Sequence, residues 1–133
     1  MRQASLGRNL QLGDRSIDCE RAAAALETAR LTERVGRMQR QMLTPIGENG
    51  AGLSGGELRR LAIGRAVLAD APVILADEPT ADLDGATAEE VRSALVDAAR
   101  GKTLIVGTHD GDLARRMDRI VTLCCGSVVE IES

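Results

Sequence analysis

Two adjacent carboxylates, Asp77 and Glu78, directly follow the apolar run VILA at residues 73–76. A short apolar run of this kind is typical of a strand buried in a parallel sheet. Ligands of α/β proteins bind at the carboxyl ends of such strands, and a buried acid is costly unless it is paired or binds a metal. One carboxylate could therefore hold Mg²⁺, directly or through water, while the other orients or deprotonates a water molecule. The plainer alternative is a strand that ends in an acidic turn.

The chain has one histidine, His109, and it also follows an apolar run. Residues 103–106 form that run, and Gly107 and Thr108 separate it from the histidine. A lone histidine is usually structural, but the carboxyl ends of neighbouring parallel strands meet at the same edge of a sheet. His109 could therefore reach the crevice of the two carboxylates, where its ring could hydrogen-bond a phosphate or a polarised water.

A third candidate is the pentapeptide formed by Leu53, Ser54, Gly55, Gly56 and Glu57. Its serine, and the glutamate three residues later, make a capping box, which predicts that a helix begins here. Glycine is unfavourable in a helix, but two glycines in the first turn leave backbone N–H groups open where the helix dipole favours an anion. The alternative is an ordinary capped helix without a ligand.

Asp82 and Asp84 follow the carboxylate pair in the sequence TADLD, residues 80–84. Their place just after the predicted strand end favours a loop beside the same crevice. Aspartate is also a favoured helix cap, so the alternative is a turn that begins the next helix.

The elements that must position these residues can be predicted from periodicity and from turn signals. The predicted helices comprise residues 17–42 as two helices, Ser54 to about Asp70 after a Gly-rich connector at 44–53, a helix from a capping box of Thr87 and Glu90 to a C-cap at Gly101, and a short helix near 111–117. The predicted strands comprise two buried strands, 73–76 and 103–106, and a hairpin of 120–123 and 128–131. Since a strand, a helix and a strand in this order form a βαβ unit, the two buried strands should be parallel. The predicted fold class is α/β, with a helical half first.

Composition argues against several classes of protein. The 133 residues have the length of one domain, and with 44% hydrophobic and 28% charged residues the chain is typical of neither disordered nor membrane proteins. No run approaches the ~20 apolar residues of a membrane helix, and the start lacks the apolar core of a signal peptide, so we expect a soluble, cytoplasm-facing chain. A net charge of −3, the lack of a long basic block and the absence of aromatic residues argue against a nucleic-acid partner.

The three cysteines are Cys19, Cys124 and Cys125. Their odd number and the lack of a CxxC spacing predict neither a zinc site nor a disulfide framework, and we expect reduced structural thiols. Cys124 and Cys125 are neighbours in a predicted strand, so we expect their side chains to point to opposite faces.

The order and spacing of the four candidate segments resemble those of the ATP-binding cassette (ABC) ATPases. LSGGE is followed by Asp77, 23 residues after Ser54, then by the rest of DEPTADLD, and then by His109 after the next strand. In that family LSGGE is the signature motif, VILADE is the Walker B motif, ADLD is the D-loop and the histidine is the switch histidine. The flanking segments 4–10 and 46–53 are similar to the corresponding segments of exporter-type cassettes. The segment GENGAGLSGGELRRLAIGRA is similar to that of the cysteine/glutathione exporter branch of the family.

The resemblance implies a role for each candidate residue. Glu78 would be the catalytic base, Asp77 would support Mg²⁺ through water, and His109 would contact the γ-phosphate. The signature residues, Ser54 and Gly56 foremost, would bind ATP held by the opposing subunit. The D-loop aspartates Asp82 and Asp84 would lie at the same nucleotide.

The resemblance also implies a fold and partners. The fold would be a partial P-loop NTPase (RecA-like) cassette, with a helical subdomain at about 1–70 and an α/β part with a parallel βαβ unit and a C-terminal hairpin at about 71–133. The cofactors would be ATP and Mg²⁺. The partners would be a second nucleotide-binding domain and the transmembrane domain of an exporter, at the cytoplasmic face of the inner membrane; an isolated chain would be soluble.

The sequence departs from the family in one major respect, because no G-x-x-x-x-G-K-[ST] phosphate loop occurs in it. The family's glutamine loop and its adenine-stacking aromatic residue are missing too. In the family fold the phosphate-loop strand lies between the strand before His109 and the strand near Ile120. We therefore expect an exposed edge on the first of these strands and a detached hairpin.

Two functions follow. In the first, the chain is the signature-to-switch portion of an exporter ATPase. In the alternative it is non-catalytic, either as a module that completes a partner's ATP site in trans or as a decayed gene fragment. Without a phosphate loop, we expect the isolated chain to be inactive, with His109 as the only nearby positive charge for a nucleotide.

Overall fold

The computed structural model describes residues 4–11, 16–47 and 52–132. The helices are α1 Leu6–Leu10, α2 Cys19–Thr28, α3 Thr32–Gly36, α4 Gly55–Ala69, α5 Gly85–Ala98 and α6 Gly111–Ala114, with a 3₁₀ turn at Gln41–Leu43. The strands are β1 Ala4–Ser5, β2 Pro45–Ile46, β3 Val73–Asp77, β4 Thr103–Gly107, β5 Ile120–Cys124 and β6 Ser127–Glu132. Within these ranges no helix is long and apolar enough to cross a membrane.

The first half of the chain is helical, and α1, α2 and α4 share one apolar core. Leu10, Leu31 and Leu61 are almost completely buried in it. The helices approach closely at Gly64, where an added Cβ would lie 2.9 Å from Leu10 Cδ1 and 3.5 Å from Ala29 Cβ. A side chain at this position would have to displace the end of the buried Leu10 side chain.

The second half contains the predicted βαβ unit. Strands β3 and β4 pair in parallel with Val73 opposite Thr103 and Asp77 opposite Gly107, and α5 forms the crossover. The inward side chains of both strands pack with Val91 and Leu95 of α5. The α/β class, the helical first half and the parallel pairing are therefore confirmed.

The prediction that both strands are buried is correct for one face of the sheet only. Leu75 is 75% exposed and Ile105 is 56% exposed, since their side chains point away from α5. A continuous apolar pattern is typical of strands that are covered on both faces, so the sequence carries the residues for a second layer that the described residues do not supply.

The predicted N-cap of α5 at Thr87 is wrong. Asp84 caps the helix, and its carboxylate accepts hydrogen bonds from Thr87 N at 3.0 Å and from Thr87 Oγ1 at 2.7 Å. Both residues are good caps, and Asp84 is preferred because it stands in an extended conformation directly before the helix. The helix ends at Ala98, and Gly101, with φ +72°, lies in the turn that leads to β4. The last predicted helix is shorter than expected and ends at Ala114.

Strands β5 and β6 form the predicted hairpin, and in the described part of the chain they pair only with each other. From Val121 to Glu132 every residue of the hairpin is exposed. The expected exposed edge and detached hairpin are thus observed. The expectation for the adjacent cysteines is wrong: Cys124 Sγ and Cys125 Sγ lie 3.7 Å apart, because Cys125 is in the turn with φ +50° rather than in the strand.

Candidate functional site

The parallel pairing of β3 and β4 brings the two carboxylates to the carboxyl end of the sheet. Asp77 lies opposite Gly107, and a Cβ at that glycine would come within 3.2 Å of Asp77 Oδ1. The backbone N–H of Glu78 donates to the Gly107 carbonyl at 2.8 Å. Glu78 then turns the chain out of the strand with φ +41°, an uncommon conformation for a residue other than glycine. Glu78 therefore lies just outside the strand that ends at Asp77.

His109 reaches the same end of the sheet. Its Nε2 lies 3.6 Å from Glu78 Oε1, and its ring is 99% exposed while the Glu78 side chain is 37% exposed. The structure thus brings together three of the residues that the sequence singled out, Asp77, Glu78 and His109. Open water access to a carboxylate beside an imidazole is an arrangement suited to general acid–base chemistry.

A groove of about 470 Å³ opens beside these residues, between β4 and the hairpin. Asp77, Glu78 and His109 lie at its polar end, and apolar side chains such as Val106 and Leu123 line the rest. Arg119 also lines the groove, and it has no ion-pair partner among residues 4–11, 16–47 and 52–132. The expectation that His109 is the only nearby positive charge is therefore wrong. No local motif marks Arg119, which reaches the groove through the position of β5.

Asp110 fixes the loop that carries His109. Its carboxylate accepts hydrogen bonds from Arg92 Nε at 2.8 Å and from Thr80 Oγ1 at 2.7 Å, and it also caps α6. The hydrogen bond from Arg92, together with that from Thr80, holds the pKa of the Asp110 carboxyl far below its ordinary value although partial burial opposes this. Sequence reasoning missed this network because its partners are 18 and 30 residues away from Asp110.

The signature pentapeptide begins α4 with the predicted capping box. Ser54 Oγ accepts from Glu57 N at 3.2 Å, and Glu57 Oε2 accepts from Ser54 N at 2.8 Å. Burial favours the neutral form of Glu57, but its hydrogen bonds from Ser54 N and from Arg34 keep the pKa of the carboxyl below its ordinary value. The first backbone bond of the helix runs from Leu58 N to Ser54 O. The N–H groups of Gly55 and Gly56 precede it and have no partner within the helix. Ser54 and Gly55 are exposed, so the Gly55 N–H and the Ser54 hydroxyl hydrogen are open to an anion, whereas Gly56 is buried.

Gly56 is required by packing within the chain. An added Cβ would lie 2.1 Å from Thr87 Cγ2 and 3.9 Å from Leu83 Cδ2. The signature segment therefore packs against the start of α5. None of Leu53 to Glu57 lines the groove of the carboxylates. The structure thus separates the signature from Asp77, Glu78 and His109.

The two aspartates of TADLD differ in their surroundings. The Asp84 carboxylate is engaged as a helix cap, and its hydrogen bonds with Thr87 hold its pKa below the ordinary value. Asp82 is exposed at φ +59° in the preceding turn. The interpretation of this segment as a turn and helix start is therefore correct for Asp84.

Comparison with known proteins agrees with this architecture. A family model described as "ABC transporter" matches residues 2–81. The chain is 43% identical over 114 residues to an ATP-dependent lipid A-core flippase of Ralstonia nicotianae, which covers 86% of this chain and 19% of the relative. It is 42% identical over 125 residues to the flippase of the same name from Cupriavidus pinatubonensis, covering 92% of this chain and 21% of that one.

A solved structure, that of a bacterial Atm1-family ABC exporter with ATP bound, superposes with a TM-score of 0.87 at 28% sequence identity. It covers 100% of this chain, and the chain covers 24% of it. The chain therefore spans about a fifth of the length of the curated relatives it matches.

Proposed function

This chain belongs to the ABC transporter family, as part of an exporter-type ATP-binding domain, and we propose that it supplies the signature, Walker B and switch-histidine portion of an ATP site. The observation that carries the proposal is the meeting of His109 Nε2 and Glu78 Oε1 at 3.6 Å, beside Asp77 at the carboxyl end of β3. The fold is that of a partial cassette, in which the ATPase chemistry of the family is expected.

In this proposal Glu78 is the general base. Its carboxylate is open to water, and the nearby imidazole of His109 can hold the attacking water or contact the terminal phosphate. Asp110 acts as a positioning residue, since it ties the His109 loop to Thr80 and Arg92.

The residues present fit a magnesium ion that is shared with a nucleotide. The Asp77 carboxylate is exposed, and within the described segments no hydrogen bond or ion pair holds it. The same segments contain no group of three or more side chains that could hold a metal alone. Mg²⁺ is commonly held by one or two carboxylates, with waters and phosphate oxygens as its other ligands, so Asp77 is the residue that would hold it, directly or through water. When bound, the ion would neutralise phosphate charge.

The phosphate loop must come from outside these 133 residues, from the same polypeptide or another. The groove between β4 and β5 has room beside Asp77 and His109, and the outer face of β3 and β4 is bare. We propose that a strand ending in the phosphate loop fills the groove and that a further layer covers the bare face. Arg119 would then lie near the incoming segment.

The signature is proposed to act on a second cassette. Because its residues do not line the groove of Glu78, the N–H groups of Gly55 and Gly56 and the Ser54 hydroxyl would contact ATP bound to another nucleotide-binding domain. Asp82 would lie at that junction. In this scheme about 1–70 is the helical subdomain and about 71–133 is the α/β part, at the cytoplasmic face of the inner membrane beside a transmembrane domain.

A composite cassette tests the catalytic role. The chain would be preceded by the N-terminal cassette segment of the Ralstonia relative, and ATP turnover would be measured. Glu78→Gln is expected to lower turnover by at least ~100-fold while nucleotide binding survives, because the base acts on water and not on the nucleotide. The matched control is Glu27→Gln, an exposed glutamate of α2, which should turn over like the parent. A Glu78→Gln cassette with parental turnover would remove Glu78 from this role.

A second candidate function is a non-catalytic module that completes a partner's site in trans. This function is favoured by the capping box, because its hydrogen bonds hold the start of the signature helix and its residues do not line the groove. The test adds the chain to a cassette with its own phosphate loop. Ser54→Asp keeps a favoured helix cap, so α4 should stay folded, but it places a negative charge toward the phosphate. It should therefore abolish any stimulation of the cassette's ATP turnover by the chain. Stimulation that survives Ser54→Asp would contradict a signature-based role.

The transported substrate is proposed from similarity alone. The relatives named above are lipid A-core flippases, whereas the sequence around the signature is similar to that of the cysteine/glutathione exporter branch. Transport of a fluorescent lipid and of labelled glutathione by the full transporter in vesicles would separate the two.

A further inference from the structure

The tip of the hairpin holds two thiols side by side. Cys124 ends β5 and pairs with Ser127, which leaves Cys125 and Gly126 as a two-residue turn. Their φ angles of +50° and +78° correspond to the type I′ turn that is common in hairpins. In this turn the side chains of Cys124 and Cys125 fall on the same side, with their sulfur atoms 3.7 Å apart.

Neither thiol has a structural role that explains it. Both are exposed, and the hairpin that carries them is exposed from Val121 to Glu132. The position of Cys125 is one that Asn, Asp and Gly adopt more readily, because it requires a positive φ. The expectation of reduced structural thiols therefore does not account for the placement of this pair.

The separation of the sulfur atoms selects a kind of ligand. Two sulfurs bonded to one centre at about 2.3 Å lie about 3.8 Å apart when the bond angle is tetrahedral, and about 4.6 Å apart when it is linear. The observed 3.7 Å fits an angular centre and not a linear one. The pair is thus arranged to chelate one atom with little rearrangement.

The number of protein ligands that a bound atom needs narrows the choice of that atom further. A structural zinc site takes four ligands, and residues 4–11, 16–47 and 52–132 contain no group of three or more His, Cys, Asp or Glu that could hold a metal. A trivalent arsenical with one carbon substituent needs only two thiolates, since its third position is already filled. We propose that Cys124 and Cys125 form a chelating site for monosubstituted trivalent arsenicals.

The reaction is a condensation without a redox change. The two thiols of the pair form two As–S bonds, the As=O oxygen leaves as water with both thiol protons, and arsenic stays trivalent. The first As–S bond makes the second step intramolecular, which raises the effective concentration of the second thiol. Cys19 is exposed but stands alone on α2, so it can form only a single As–S bond.

Phenylarsine oxide tests the proposal on the 133-residue chain, kept reduced by a phosphine. Intact mass should show one phenylarsenic per chain that resists excess monothiol and is removed by 2,3-dimercaptopropanol. Cys19→Ser should retain this adduct. Cys124→Ser and Cys125→Ser should each bind at least ~100-fold more weakly, because each removes the intramolecular step.

Three results would overturn the proposal. They are a parent chain without a monothiol-resistant adduct, an adduct that persists in Cys124→Ser or Cys125→Ser, and loss of the adduct in Cys19→Ser. Since the hairpin tip lies outside the carboxylate groove, the outcome is independent of whether the chain takes part in ATP hydrolysis.

Discussion

Gly56 offers the sharpest test of how the signature is held. Gly56→Ala would place a Cβ 2.1 Å from Thr87 Cγ2, and the Thr87 side chain cannot simply rotate away, since its Oγ1 donates to Asp84 at 2.7 Å. Overpacking of this kind costs about 1–3 kcal/mol, and the better helix propensity of alanine returns at most ~1 kcal/mol. We expect Gly56→Ala to lower the free energy of unfolding by about 1–2 kcal/mol.

The clash can be removed without losing the cap. Thr87→Ser deletes the clashing methyl group but keeps the hydroxyl that bonds Asp84, and the remaining Thr87 Cβ would lie 3.6 Å from the new methyl, an ordinary contact. The double variant Gly56→Ala with Thr87→Ser should recover to within about 0.5 kcal/mol of the parent, which is a coupling energy of about 1 kcal/mol or more.

Urea unfolding followed by circular dichroism measures all four corners of this cycle. Gly85→Ala is the matched control, because Gly85 also lies in the first turn of a helix but faces open space, and it should be neutral or slightly stabilising. Parental stability of Gly56→Ala, or a double variant as unstable as Gly56→Ala alone, would refute the packing argument.

Hydrogen exchange should show protection in 73–77 and 103–107 and little in 119–131, since the hairpin is exposed along its length and we expect the chain to be only marginally stable. Strong protection of 119–131 in a monomer would contradict this prediction. Asp110→Asn should destabilise the chain by about 1–2 kcal/mol at pH 7, because it breaks the half-buried pair with Arg92. The folded-state pKa of Asp110 lies below its ordinary value, so its stabilising effect is present above about pH 4 and lost as the pH falls further; the difference between parent and variant should shrink in acid unfolding curves, and a difference that grows there would contradict the assignment.

Local features of the fold could be predicted from the sequence. The capping box of Ser54 and Glu57 forms as expected because both of its bonds lie within four residues. The end of β3 at the carboxylates follows in the same way from the apolar run and the polar residues after it. The start of α5 was misplaced by three residues because Asp84 and Thr87 are both acceptable caps, and local rules do not rank them.

Features that depend on distant segments could not be predicted. The Asp110 network joins three segments of the chain, and Arg119 reaches the groove only through the placement of the hairpin. The bare outer face at Leu75 and Ile105 is not predictable from the sequence, because an apolar pattern indicates what a residue is suited to contact and not whether that contact is present. The expected opposite orientation of the adjacent cysteines required both of them to lie in a strand, but the strand ends at Cys124 and Cys125 lies in the turn with a positive φ.

We propose that this chain holds one portion of an ATP site, and its sequence lacks the phosphate loop that would complete it. Calorimetric titration with MgATP tests it directly, on the 133-residue chain and on the composite cassette carrying Glu78→Gln. The chain alone should bind no more tightly than the millimolar range, about −4 kcal/mol, because Arg119 and His109 cannot replace a loop of backbone N–H groups and its lysine. The composite cassette should bind in the micromolar range. Micromolar binding by the chain alone, or steady ATP turnover by it that disappears in Glu78→Gln, would contradict the account.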